Sequence, residues 1–394
     1  MNIDTIKSMA DRTNRHERAL KAILKRNKKW GCLYPGCNRK SIFSHAISKS
    51  ISLAAIAEEG HLSTIRSLRK EDVKMLQFGS ISVHDATAFN GFCEAHDAMF
   101  LTLDTKEISD AKSLFLQAYR SVISECANES RIAALRHENF KQMDIASMLD
   151  MHVEEYPWLE EERFKALFII EYLKMVEAEK RRASELMQLP GQLLEKLVLL
   201  EEVPLDDFSV VSTEQLSHYI PFRRLNFKIP VALNCILSVV ADNTRLDFYF
   251  AVIPYKQSTL VMGIVPKLSK QWLLDRLMQS FSCDIAALNL VESIMVCSNE
   301  WYMTPSVLAE MSSEKRDVFL HDSTFINEQR FYEDYDMTLF DSLRRAISQQ
   351  YPDCEAQLKL DMIDVIPQRE SYQVRHKRMI DKLLSESVKL RDVD

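Results

Sequence analysis

The chain of 394 residues has only seven glycines and contains no long apolar run. Its longest apolar stretch, Val231 to Ala241, is interrupted by Asn234, whereas a membrane-spanning helix needs about 20 apolar residues. The amino terminus is charged, which argues against a secretory signal. The hydrophobic share of 46% and charged share of 27% are typical of a folded globular protein. We expect a cytoplasmic protein that has no membrane partner.

Several other signatures are missing. The glycine-rich loop G-x-x-x-x-G-K does not occur, which excludes ATP hydrolysis by a P-loop. The eight cysteines do not have the spacing of a disulfide scaffold, so reduced thiols and one metal site are expected. No repeat of fixed period is present, which excludes a solenoid.

Two short motifs carry four residues whose side chains are zinc ligands: Cys32, Cys37, Cys93 and His96. The first pair has the spacing C-x4-C in GCLYPGC, and the second pair, C-x2-H in NGFCEAHD, follows about 55 residues later. Gly31, Pro35 and Gly36 allow the tight turn that aims two thiolates at one ion. Because three thiolates and one imidazole make a closed tetrahedral site, the sequence predicts a structural Zn²⁺ ion.

Positive charge is concentrated near the first motif. The first 50 residues hold twelve Lys or Arg and three Asp or Glu, although the whole chain carries a net charge of −7. Such a segment is suited to neutralise the phosphates of a nucleic acid. The alternative is a solvated basic helix face without a ligand. The residues expected to contact nucleic acid are Lys25, Arg26, Lys28, Lys29, Arg39, Lys40 and Lys49.

Hydrophobic periodicity predicts an α+β fold that is predominantly helical and has three parts. Residues 1–104 are expected to form a basic helix and a zinc-bound domain with the order knuckle, strand, insertion, strand and helix. Residues 105–203 are expected to form a helical bundle or arm, and residues 204–394 an α+β domain.

Within the first part, strands are expected at residues 40–45 and 80–92, and residues 52–76 between them as an inserted helical segment. In the last part, runs rich in β-branched and aromatic residues predict three strands at 231–240, 246–255 and 258–267. Glu292, Glu300 and Trp301 form a polar interruption in a later apolar run that is compatible with a pocket.

The segment from Cys32 to Phe100 resembles the HNH, or His-Me finger, endonuclease family, which is built on a treble-clef zinc frame. The likeness rests on the C-x4-C knuckle, on FSHAISKS at the first strand end, and on FCEAHDAMF at a helix start. The resemblance implies a ββα unit in residues 1–104, in which a histidine at the end of the first strand activates water. A divalent cation, Mg²⁺ or Mn²⁺, neutralises the scissile phosphate. By position, His45 matches the general base, Asp97 the third motif residue and Asn90 the middle asparagine.

The chain departs from the family pattern at Ser44, which stands where an aspartate usually precedes the histidine and binds the catalytic metal. A hydroxyl is a poorer ligand for a hard cation than a carboxylate. His84 and Asp85, on the second predicted strand, are an alternative source of a carboxylate, although neighbouring strand residues face opposite ways. Ser44 also favours a second interpretation, a non-catalytic treble-clef module that binds nucleic acid or a protein.

The function expected from the resemblance is metal-dependent hydrolysis of phosphodiester bonds in DNA, with RNA as the alternative substrate. The remaining residues, 105–394, are expected to sense a signal, to dock a protein partner or to form a homo-oligomer. Layouts in which a recognition region restrains a nuclease head resemble bacterial host-defence effectors.

Overall fold

The structure is a computed structural model that describes residues 30–70, 73–141, 160–212, 216–241, 244–267, 271–328, 331–375 and 378. These residues form two compact units. The first comprises the described parts of Met1–Ile51, Thr87–Asp206 and Val211–Ile220, and the second those of Ser52–Ala86, Asp207–Val210 and Pro221–Asp394. The first unit thus includes residues from both the predicted zinc domain and the predicted helical region. The predicted basic helix before residue 30 lies outside the described residues.

The strands of the described residues are β1 Phe43–His45, β2 His61–Lys70, β3 Val73–Ser82, β4 Ala88–Asn90, β5 Phe208–Val211, β6 His218–Leu225, β7 Val231–Ala241, β8 Thr244–Pro254, β9 Thr259–Pro266 and β10 Trp301–Met303. Their α-helices are α1 Ala54–Ile56, α2 Glu94–Asp97, α3 Leu101–Thr105, α4 Ala111–Lys141, α5 Glu162–Glu185, α6 Gln188–Leu197, α7 Trp272–Ser280, α8 Asp284–Cys297, α9 Pro305–Glu310, α10 Ser313–Thr324, α11 Asp341–Ile347 and α12 Glu355–Leu358. A five-residue π-helix, Lys49–Leu53, precedes α1.

In the first unit, β1 and β4 form a two-stranded antiparallel sheet, in which Phe43 lies opposite Asn90 and His45 opposite Ala88. The predicted strand pair is therefore confirmed, but only over three residues on each side. Residues 80–82 of the second predicted strand belong instead to β3.

Helix α4 packs against this small sheet. Gln117 donates a hydrogen bond of 2.9 Å from Nε2 to the carbonyl oxygen of Ala46, just after β1. The ring of Tyr119 contacts Phe92 and Phe100, which are both fully buried. Aromatic side chains of this size dominate the stability of a small core, so α4 supports the strand ends that flank the predicted site.

The second unit is built on an eight-stranded sheet with the order β3-β2-β10-β7-β8-β9-β6-β5. The three predicted strands are confirmed as β7, β8 and β9, each antiparallel to the next. Phe248, Phe250 and Val252 alternate along β8 and are fully buried in the main core together with residues of α8. Burial of each such side chain contributes about 1.5–3 kcal/mol.

The prediction of a helical segment at residues 52–76 is wrong beyond its first turns. Residues 61–70 and 73–82 form the antiparallel pair β2–β3, and β2 joins the large sheet by pairing with β10. Leu62 and Ile65 are both buried, because both faces of β2 are covered. Their spacing of three residues imitates a helix, which explains the error. Gly60, at φ +75°, makes the tight turn just before β2.

Glu292 lies in a buried ion pair. Arg344 donates from Nη2 to Glu292 Oε2 at 2.6 Å and to Asn289 Oδ1 at 2.7 Å. Glu292 Oε1 also accepts from the backbone N–H groups of Leu339 and Phe340. These hydrogen bonds give the buried carboxylate the partners that burial requires, so Glu292 has a structural role.

The fold class is mixed α+β, as the large sheet of the second unit shows. The prediction that the chain is predominantly helical is wrong, chiefly because β2 and the first residues of β3 lie in the segment predicted as a helix, and because β5, β6 and β10 were not predicted.

Candidate metal centre and nucleic-acid interface

The first cysteine pair lies on a short antiparallel ribbon. Cys32 N–H donates to the carbonyl oxygen of Arg39 at 2.8 Å, and Ser41 N–H donates to that of Trp30 at 2.9 Å. The turn between them is closed by a hydrogen bond of 3.1 Å from Cys37 N–H to the carbonyl oxygen of Tyr34. Gly36 has φ +73° in this turn, a conformation that favours glycine. The backbone therefore turns both thiols to the same side.

The second pair lies at the start of α2. Cys93 occupies the N-cap position, and His96 N–H donates to its carbonyl oxygen at 2.9 Å. The ribbon is joined to the residues before α2 by a hydrogen bond of 2.9 Å from Leu33 N–H to the carbonyl oxygen of Gly91. A Cβ at Gly91 would meet the ring of Phe89 at 2.3 Å, so only glycine fits without a shift. This connection brings the two ligand pairs together.

The four ligand atoms of Cys32, Cys37, Cys93 and His96 all lie within 4.8 Å of one another. The Sγ atoms of Cys37 and Cys93 are 3.9 Å apart. His96 Nδ1 lies 3.4 Å from Cys32 Sγ and 3.5 Å from Cys93 Sγ. For zinc bond lengths of about 2.3 Å to sulfur and 2.0–2.1 Å to nitrogen, a regular tetrahedron has edges of about 3.8 Å and 3.6 Å. These three distances match the edges, and the whole cluster lies within 4.8 Å, so small side-chain shifts suffice for the four atoms to hold a metal ion.

Arg39 supplies positive charge beside the thiols. Hydrogen bonds from its backbone and its side chain lower the pKa of the Cys37 thiol to about 7. Burial raises the pKa of the Cys32 thiol. Three thiolates around a divalent cation would leave a net charge of about −1, which the guanidinium of Arg39 would offset. Arg39 therefore lies beside the candidate metal ligands, a position that the sequence does not predict.

Tyr34 stacks on the imidazole of His96, with ring centroids 3.9 Å apart and planes inclined by 16°. Contacts of this kind fix the orientation of a metal-bound ring. The only signal for this role in the sequence is the aromatic residue between the two cysteines of GCLYPGC, and no spacing rule connects it with His96.

The predicted catalytic residues lie on three elements around the metal centre. His45 ends β1 and Asn90 ends β4. Because paired residues of an antiparallel sheet share a face, the register places His45 and Asn90 on the same face, as diagonal neighbours about 7–8 Å apart. Asp97 is the last residue of α2, directly after His96.

Asp97 and Ser44 each bury an oxygen that lacks a hydrogen bond to any described residue: Oδ1 of Asp97 and Oγ of Ser44. Ser44 is 2% exposed and lies on the sheet face opposite His45, beside Phe89. Ser44 therefore points away from His45. We call Cys32, Cys37, Cys93 and His96 the ligand quartet. Among the residues that the structure describes, it is the only group of three or more ligand side chains close enough to hold an ion.

The structure describes three of the seven residues predicted to contact nucleic acid. Arg39 and Lys40 are exposed on the ribbon of the first cysteine pair, and Lys49 is partly exposed at the start of the π-helix. The other four, Lys25, Arg26, Lys28 and Lys29, lie outside the described residues.

His84 and Asp85 do not lie on a strand, contrary to the prediction. They occupy the turn between β3 and β4, where Asp85 N–H donates to the carbonyl oxygen of Ser82 at 2.9 Å. Both side chains are exposed. The error follows from the end of β3, which continues only to Ser82 before the chain turns.

No protein-family model, curated protein or solved structure matches this chain. In the part of the chain that the structure describes, no single helix has the length and apolar character to cross a membrane. Helices α7 and α8, which meet at a bend of 118°, reach that length and apolar character only when they are taken together.

Proposed function

We propose that the first unit contains a zinc-stabilised, metal-dependent endonuclease site of the HNH type, which hydrolyses phosphodiester bonds of DNA, with RNA as the alternative substrate. The observation that carries the proposal is the placement of His45 and Asn90 on one sheet face. The sheet of β1 and β4 is connected to the ligand quartet by backbone hydrogen bonds to Gly91 and Phe92, just before α2.

The ion of the quartet is proposed to be zinc, with a structural role. Three thiolates and one imidazole are the donors that zinc prefers, and four protein ligands close its tetrahedral coordination shell. A closed shell has no position for a reacting water. Hydrolysis therefore needs a second, hard cation and a general base outside the quartet.

His45 is assigned the role of general base, which takes a proton from the attacking water. Asp97 fits a hard cation, because its buried Oδ1 lacks a hydrogen-bond partner in the described residues and carboxylate oxygen is the ligand that Mg²⁺ and Mn²⁺ prefer. When bound, such a cation would neutralise charge on the phosphate. Asn90 would orient His45 or the phosphate from the same sheet face.

Binding of the substrate backbone is assigned to the exposed Arg39 and Lys40, to Lys49, and to the basic residues before Trp30. Because binding to phosphates releases counterions, affinity should fall steeply with salt. Replacement of Lys25, Arg26, Lys28 and Lys29 by Ala should reduce the slope of log affinity against log salt by about 3–4. Fluorescence anisotropy with a labelled DNA duplex measures this slope. Binding that does not depend on salt would contradict the assignment.

A second candidate function is a non-catalytic zinc module that binds nucleic acid. The position of Ser44 favours it, because a buried hydroxyl turned to the opposite sheet face cannot replace the usual aspartate beside His45.

A cleavage assay on plasmid DNA and on RNA with Mg²⁺ or Mn²⁺ distinguishes the nuclease from the non-catalytic zinc module. The nuclease proposal predicts that His45→Ala abolishes cleavage and that Asp97→Asn impairs it, with partial rescue at higher Mg²⁺, while zinc content and nucleic-acid affinity stay unchanged. His84→Ala is the matched control and should cut like the wild type. A wild-type protein that binds but never cuts supports the module, and cleavage that survives His45→Ala rejects the assigned site.

A further inference from the structure

Helix α5 buries one of its faces. Tyr172 and Val176 are buried, and Glu179 forms an ion pair of 3.8 Å with Arg136 of α4. These residues recur at spacings of three and four, so they mark the side of α5 that packs on α4.

The opposite face of α5 exposes three large apolar side chains, which we call the apolar stripe: Leu167, Ile170 and Leu173. Their exposed fractions are 37%, 47% and 50%. At about 100° per residue, all three lie within about 60° of a line along the helix through Ile170. Neighbouring apolar side chains that remain exposed on a helix are typical of an interaction surface.

Opposite charges lie at equal distances on the two sides of Ile170. Arg163 precedes it by seven residues and Glu177 follows it by seven, which puts both within about 20° of the same line. Their side chains are 74% and 62% exposed. Within the chain Arg163 reaches Glu161 at 3.0 Å, and Glu177 lies 3.9 Å from Lys180. Exposed pairs of this kind contribute at most about 1 kcal/mol, so a less solvated ion pair across an interface can compete with them.

We propose that the apolar stripe is a homodimer interface, in which α5 of a second copy packs antiparallel across a two-fold axis through Ile170. Leu167 would then pack on Leu173 of the partner subunit, and Arg163 would face Glu177 of the partner subunit, each twice by symmetry. A parallel arrangement would set Arg163 against its own copy, so the charge order selects the antiparallel one. The charges on the two sides of Ile170 complement each other when two copies of α5 are related by the two-fold axis. This favours a second copy of the chain as the partner over an unrelated helix.

The mass of the full-length chain, measured by light scattering during size-exclusion chromatography, tests the interface. At concentrations on the order of 100 µM the wild type should be a dimer. Ile170→Glu, which sets two carboxylates against each other on the axis, should give a monomer with an unchanged circular dichroism spectrum. Glu195→Arg on the exposed surface of α6 is the control and should remain a dimer. A monomeric wild type, or a dimer that survives Ile170→Glu, overturns the proposal.

A charge exchange tests the antiparallel order. Arg163→Glu and Glu177→Arg should each weaken the dimer about tenfold or more, because each variant places like charges opposite one another. The double variant restores both pairs and should return to near the wild-type dissociation constant in sedimentation equilibrium. A double variant as weak as the single variants overturns the arrangement. The stripe does not include the residues proposed for cleavage, so this inference stands or fails separately from the proposed function.

Discussion

Arg131 of α4 donates a hydrogen bond of 2.7 Å from Nη2 to the backbone carbonyl oxygen of Asn90. Its guanidinium also lies over the ring of Trp30, 4.5 Å from the centroid. One side chain thus holds the last residue of β4 and the residue that begins the cysteine ribbon. Burial lowers the pKa of Arg131 to about 10, which leaves the group charged at neutral pH.

Arg131→Met should lower the free energy of unfolding by about 1.5–3 kcal/mol, the contribution of a hydrogen bond that involves a charged group. It should also speed hydrogen exchange at residues 88–92. Arg136→Met, on the same helix with 43% of its side chain exposed, is the control and should change stability by less than about 1 kcal/mol. Equal effects of the two substitutions would show that Arg131 does not support the strand end.

Tyr34 should be needed for tight metal binding because its ring holds the imidazole of His96 in place. Tyr34→Ala should weaken zinc affinity about tenfold to a hundredfold, as is usual for loss of a group that orients a ligand. Tyr34→Phe keeps the ring and should bind zinc like the wild type. Competition with a chromogenic chelator measures both, and equal affinity of Tyr34→Ala and the wild type would contradict the role.

Arg344→Met should destabilise the second unit by about 3–5 kcal/mol, because it leaves Glu292 charged and buried without its partner. The double variant Glu292→Met and Arg344→Met should cost less than the single one, since no charge remains in the core. Arg345→Met alters the exposed neighbouring residue and should have little effect. Urea unfolding at pH 7 gives all the free energies of unfolding, and a double variant that is no more stable than Arg344→Met would contradict this role of the ion pair.

Asp336 should give stability that depends on pH. The side-chain hydrogen bond from Arg369, 2.6 Å at Nη2, lowers the pKa of Asp336 below its usual value. A carboxylate with a lowered pKa stabilises the fold above its unfolded pKa of about 3.9, and this stability is lost as the pH falls through the folded pKa. Asp336→Asn should therefore be less stable than the wild type at pH 7, and the difference should shrink below about pH 4. A constant difference in thermal midpoint from pH 7 to pH 3 would exclude this linkage.

The parts of the molecule that the sequence predicts well are those that depend on local chemistry. The ligand quartet follows from residue type and spacing, because few arrangements other than a metal site need two cysteines at x4 and a Cys-x2-His. The strands β7 to β9 follow from dense runs of β-branched and aromatic residues, which suit a pleated buried surface.

The parts that the sequence does not predict depend on partners that are distant in the chain. The strand β2 is stabilised by pairing with β10, and Ser63 lies opposite Met303. Nothing near residue 63 indicates that neighbour. Arg131 and Asn90 are likewise far apart in sequence, so their contact needs the packing of α4 to be known. The charge of Glu292 is interpretable only once Arg344 is placed beside it.

Elemental analysis of the purified chain shows whether Cys32, Cys37, Cys93 and His96 hold a zinc ion. The account predicts about one zinc per chain in the wild type and in Cys126→Ser, which alters a buried thiol outside the quartet. Cys93→Ser should lose the ion and unfold the residues around it, because a structural zinc contributes on the order of 10 kcal/mol to folding. Folded wild-type protein without zinc, or full zinc content in Cys93→Ser, would contradict it.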